Sequence, residues 1–139
     1  MREIEFRGID IETGKWVFGD LHTLCDKPHI HTEKSKIPYA GKRSFVIQET
    51  IGQFTGLLDK NGKKIYDGDI IKHPYVDPIF RDLVETKEGD GVTSEVVFHD
   101  GAFVVKYDEN DFIYLDAFTR HGYVEVVGNI HDNPELIKK

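Results

Sequence analysis

Residues 51–71 read IGQFTGLLDKNGKKIYDGDII, and this stretch decides the fold. Two turn signals and three apolar segments leave no room for a helix. Asn61-Gly62 is a short-range hairpin signal, because both residue types tolerate the positive φ of a tight turn. Six residues later Asp67-Gly68 repeats the punctuation, and Asp69-Ile70-Ile71 opens a β-branched run. The segment contains no chemistry that identifies a reaction.

The pattern extends in both directions. Glu3-Ile4-Glu5-Phe6-Arg7 alternates with period two, Glu12-Thr13-Gly14 breaks the chain, and Lys15-Trp16-Val17-Phe18 resumes it, so residues 3–19 read as a hairpin. From His22 to Ser44 the pattern dissolves into polar and basic residues with Pro28 and Pro38. That is the first expected irregular segment; residues 74–93 are the second, with a helical turn expected near Ile79–Val84 after Asp77-Pro78. Ser44–Ile47 reads as a short strand. Glu95–His99 and Ala102–Tyr107 flank Asp100-Gly101, another hairpin. Phe112–Phe118 and Tyr123–Val127 are expected to supply the last strands, and Asn133-Pro134-Glu135 a closing helical turn.

Short strands between Gly-centred turns point to a mainly β chain: an N-terminal β-hairpin and irregular segment over 1–50, and a small barrel, closed or half-open, rather than a sandwich, with a short C-terminal helical turn, over 51–139. The chain has 139 residues, the length of one domain, and a compact fold of that size buries about two-thirds of the surface of its unfolded chain. Its 39% hydrophobic and 31% charged residues are those of a globular protein. A net charge of −7 argues against nucleic acid as the default partner, since its lysines are scattered among carboxylates. One cysteine, Cys25, excludes an internal disulfide and fits a reducing compartment. No apolar run approaches a signal peptide or a membrane span, so a cytoplasmic protein is expected.

Several matching pieces give the chain a family likeness. They are IGQFTGLLDKNGKKIYDGDII, the opening Arg7-Gly8 followed by Gly14–Leu21 (GKWVFGDL), and the close Val126–Leu136 (VVGNIHDNPEL), in order along nearly the whole chain. On these the chain resembles the YopX-like proteins of bacteriophages and prophages. The resemblance implies a phage or prophage origin, a mainly β fold containing an SH3-like barrel, and self-association. It implies no activity and brings no catalytic residues.

Candidate sites are few. His22, Cys25, His29 and His31 place four zinc-compatible side chains within ten residues. In an extended segment His29 and His31 would share a face. The spacing matches no standard zinc pattern, and the segment reads as a polar loop with incidental histidines. No metal and no cofactor are therefore assigned. Asp67 and Asp69 read as turn carboxylates binding backbone N–H groups. Ser35, Ser44 and Ser94 have no His–Asp partner at a recognisable offset, and no phosphate-binding or dinucleotide loop occurs. The expectation is a non-enzyme that acts by binding, as a homo-oligomer or with a host or phage protein. The rival readings are a metal-dependent hydrolase using His22, Cys25, His29 and His31, and a nucleic-acid-binding small barrel.

Overall fold

The structure is a computed structural model, and it describes residues 2–32, 42–76, 83–84, 91–106, 111–120 and 122–137. The elements in chain order are β1 (Phe6–Ile9), β2 (Trp16–Leu24), β3 (Lys27–His31), β4 (Arg43–Phe45), β5 (Gly52–Leu58), β6 (Lys64–Tyr66), β7 (Asp69–His73), β8 (Tyr75–Val76), β9 (Leu83–Val84), β10 (Val92–His99), β11 (Ala102–Lys106), β12 (Phe112–Tyr114), helix α1 (Leu115–Thr119) and β13 (Glu125–Asn129). The protein is mainly β and antiparallel, as its turns and alternation predict. It divides into two units at Gly56/Leu57, within β5.

In the first unit the strands lie in the order β4-β3-β2-β1-β5. β1 and β2 form the expected hairpin, with Arg7 opposite Phe18 and Gly8 opposite Val17. The turn between them is held by the Asp10 carboxylate, which accepts from the N–H groups of Glu12 (2.8 Å) and Thr13 (2.9 Å). The Arg7 guanidinium lies 4.7 Å above the Trp16 ring, an arrangement in which the ring face attracts the cation. Thr50 joins the strand ends: its hydroxyl accepts from Ile9 N–H and donates to the Ile47 carbonyl. Ile30, Val46 and Phe54 are the buried apolar residues here.

The second unit holds the sheet β12-β11-β10-β7-β13. One side of it covers Ile65, Ile71, Val96, Val105, Leu115, Phe118 and Val124, with Leu57, Phe103, Ile113 and Val126 at the margin. At Asp100-Gly101 both residues take positive φ (48° and 81°), the mirror-image turn that matches strand twist. Asn61-Gly62 behaves differently. Only Gly62 is left-handed (φ 80°), and the loop from Asp59 to Lys63 closes through Gly62 N–H to the Asp59 carbonyl and Asp59 N–H to the Lys63 carbonyl.

Several expectations are corrected. The stretch from His22 is not irregular: β2 continues to Leu24, the chain turns at Cys25-Asp26, and β3 returns to His31, while Arg43 and Ser44 belong to β4. Cys25 and Asp26 supply the two positive φ angles (50° and 62°) without a glycine, so the turn carried no visible signal. Phe112–Phe118 is not one strand: it becomes helical at Leu115, where Leu115 and Phe118 share a buried face at helical spacing and Asp116 pairs with Arg120 at 2.8 Å. Within residues 74–93, the described parts form the antiparallel pair β8–β9 and the start of β10. The helical turn expected near 79–84 lies outside the described residues except for Leu83 and Val84, which are β9. At the C-terminus Pro134–Leu136 is one 3-10 turn, and Asn133 binds Asn129 N–H with its side chain (3.3 Å) instead of capping that turn. Both larger sheets are open runs of strands, and no closed barrel is found among the described residues.

Candidate functional site

Pairing in the first unit puts chemistry on one sheet face. His22 lies opposite His29 and Asp20 opposite His31 across β2 and β3. His29 lies opposite Phe45 and His31 opposite Arg43 across β3 and β4. Directly opposed residues share a face, so Asp20, His22, His29, His31, Arg43 and Phe45 project from the same side. The close approach of β2 to β3 depends on Gly19. A Cβ there would run into the His31 carbonyl, and its φ of 157° belongs to the glycine region.

The imidazoles are in contact. Ring centroids lie 4.3 Å apart for His22 and His31, 4.9 Å for His29 and His31, and 5.7 Å for His22 and His29. The Nε2 atoms of His29 and His31 are 3.0 Å apart, so one nitrogen carries the shared proton and the other accepts it. His29 is only 4% exposed, with Phe45 packed on its ring at 5.5 Å. Burial lowers its pKa, and the neighbouring His31, His22 and Arg43 push the same way against a raising effect of the Lys27 carbonyl. His29 is therefore held neutral, the form that binds metals and accepts hydrogen bonds. Its Nδ1 is buried and makes no hydrogen bond of good geometry.

Of the four candidates read from the sequence, the fold gathers His22, His29 and His31. Cys25 sits in the exposed turn beyond the last opposed pair, Leu24 and Lys27. As the side chains stand, no group of three or more His, Cys, Asp or Glu residues among those described is placed to hold a metal ion.

A serine–histidine pair escaped the sequence. His73 Nδ1 lies 2.7 Å from the Pro74 carbonyl, which can only accept, so Nδ1 carries the proton and Nε2 accepts from Ser94 Oγ at 2.8 Å. A nucleophile and its base are oriented in this way. Here both are shut in, His73 at 2% and Ser94 at 3% exposure, with the Phe118 ring tilted against the imidazole at 4.7 Å between centroids. Burial depresses the His73 pKa, with the Pro74 carbonyl opposing. The pair ties β7 to β10 through side chains and is a satisfied core contact. The signal was strand register alone: Val92 opposes His73 and Ser94 opposes Ile71. Asp69 also acts structurally, its carboxylate accepting Tyr66 N–H at 2.8 Å.

The fold and this face define a two-unit antiparallel β protein with a histidine-lined hairpin. The chain belongs to the YopX protein family, whose model matches residues 5–138. Two solved structures share the architecture. Protein EF1440 from Enterococcus faecalis is 25% identical, with a TM-score of 0.58 over 99% of this chain and 100% of that one. YopX from Bacillus subtilis is 20% identical, with a TM-score of 0.57 over 97% of this chain and 96% of that one. No curated protein matches the chain. Among the described residues no helix is long and apolar enough to cross a membrane.

Proposed function

We propose that this protein is a non-enzymatic binding and self-assembling module of phage or prophage origin, working in the cytoplasm of the bacterial host. The observation that carries the reading is the β12 edge of the second unit's sheet. Tyr114 on that edge strand is 65% exposed, and Phe98 on β10 is 59% exposed. An unpaired edge offers backbone donors and acceptors to an added strand, and exposed aromatic rings supply contact area at low entropic cost. The SH3-like barrel belongs to the same reading. Five short antiparallel strands over one core, two of them joined by the Asp100-Gly101 turn, are the elements from which such a barrel is built.

We take the partner to be a second copy of the chain, in an assembly larger than a dimer. The charge of −7 opposes association, but salt screens it beyond about 8 Å. Light scattering coupled to size exclusion tests the reading. The expected mass is a multiple of 16.0 kDa above two, reduced by Tyr114→Lys. A 16.0 kDa particle at micromolar concentration ends it.

A further inference from the structure

We propose that the face of β2 and β3 is a transition-metal site, in which His22, His29 and His31 take one divalent ion of the zinc, nickel or cobalt class with Asp20 as the fourth donor. The site goes beyond the assembly reading and does not depend on it.

The register comes first. His22 and His29 are directly opposed, as are Asp20 and His31, so four donors form a compact square on two adjacent strands. The distances come next. Two nitrogens bound to one tetrahedral zinc at about 2.0–2.1 Å are about 3.3 Å apart, and the ring centroids of such a pair are about 5 Å apart. The Nε2 atoms of His29 and His31 are 3.0 Å apart, and the three centroid separations run from 4.3 to 5.7 Å. Two ligands are thus nearly in position, their lone pairs competing for a single proton that a metal ion would displace.

The third must turn. The rings do not converge as they stand, and His22 is the one that is exposed and free to change rotamer without disturbing the core. The surroundings suit a ligand. Ligation of His29 through Nε2 leaves the proton on Nδ1, beside the Lys27 carbonyl. A ligating histidine ordinarily donates to such a partner, and Nδ1 now lacks one of good geometry. The donor set of imidazoles and one carboxylate selects borderline ions over magnesium, which takes an all-oxygen octahedron. Arg43, opposite His31, and Lys27, next but one to His29 on the same face, are cations there and weaken the site. Cys25 has no part in it, and no reaction is assigned to it.

The test is titration of tag-free, chelator-treated protein with zinc chloride, nickel chloride and cobalt chloride, followed calorimetrically, with the cobalt visible spectrum as a second readout. One ion per chain and tetrahedral cobalt absorption are expected, with no response to magnesium. His22→Gln and His31→Gln should each weaken binding by at least about tenfold, and Cys25→Ser should leave it unchanged. His22 is exposed, so its variant remains folded and interpretable even if His29→Ala does not. Absence of saturable binding, binding that survives both His→Gln changes, or binding abolished by Cys25→Ser overturns the proposal.

Discussion

Asp59 is buried at 8% exposure, and its carboxylate fastens two parts of the second unit distant in sequence. One oxygen accepts from Asn61 N–H (2.8 Å) and Lys63 N–H (2.9 Å), fixing the loop between β5 and β6. The other accepts from Val126 N–H (3.0 Å) in β13. Burial by itself raises the pKa of this carboxyl, but the Val126, Lys63 and Asn61 amides and the Lys63 charge outweigh burial and hold it below the usual range. Hydrogen bonds to an ionised group contribute about 1.5–3 kcal/mol each, and a buried donor left unmatched costs about 1–3 kcal/mol. Asp59→Ala, allowing for water entering the gap, should therefore destabilise by about 3 kcal/mol. Asp59→Asn is the sharper test. It can keep the acceptor for Asn61 and Lys63 but must face Val126 N–H with a second donor, at a cost of about 2 kcal/mol. Losses of this size lower the melting temperature by on the order of 10 °C. Urea melts followed by far-UV circular dichroism measure both. If Asp59→Asn is as stable as the parent, the carboxylate does not hold β13 and the reasoning fails.

Gly19→Ala should cost the first unit about 3 kcal/mol, because the new methyl meets the His31 carbonyl at a φ that L-residues avoid. Fluorescence of Trp16, the single tryptophan, reports that unit, and an unshifted transition would contradict the collision. Ser94→Ala removes the hydroxyl that donates to buried His73 Nε2 and should cost about 1–2 kcal/mol by chemical melts, whereas a neutral result would mean the pair contributes nothing. The pH dependence has a definite sign. His29 and His73 have depressed folded pKa values, so the unfolded chain binds protons that the folded chain refuses. Their contribution is complete above about pH 6.5 and is lost as pH falls from there toward the folded values. Asp59 follows the same direction at lower pH, with its contribution lost below about pH 4. Urea midpoints that rise on mild acidification would refute the histidine argument.

Local chemistry made much of this fold readable. Asp100-Gly101 predicted its turn because its two residues pay the conformational cost of left-handed backbone cheaply, whereas the alternation of Glu3–Arg7 marked a strand but not its faces: β1 begins at Phe6, Ile4 is exposed and Arg7 is buried. Reading failed where the deciding interaction was not local. The turn at Cys25-Asp26 is imposed by pairing on both sides, with Leu21 opposite Ile30 and His22 opposite His29, and nothing in Leu-Cys-Asp-Lys announces it. The histidines consequently looked like loop residues, although the extended-chain argument did place His29 and His31 together. Leu115 and Phe118 are spaced for a helix, but five residues are too few for periodicity to register against the apolar run before them. His73 and Ser94 are 21 residues apart, and only register joins them.

The position of β7 in its sheet has a consequence for how the chain is made. β7 is complete at residue 73, yet both of its neighbours, β10 and β13, come from later sequence. At about 5–20 residues per second, a ribosome needs several seconds after β7 to deliver β13. Through that interval a strand bearing Ile70 and Ile71 waits with its backbone unmatched on both sides. Such a strand is the kind of nascent segment that sticks to other chains or is held by a chaperone. The second unit can close only when its last strand leaves the ribosome, so a stop codon before residue 125 should yield insoluble protein instead of a smaller folded one.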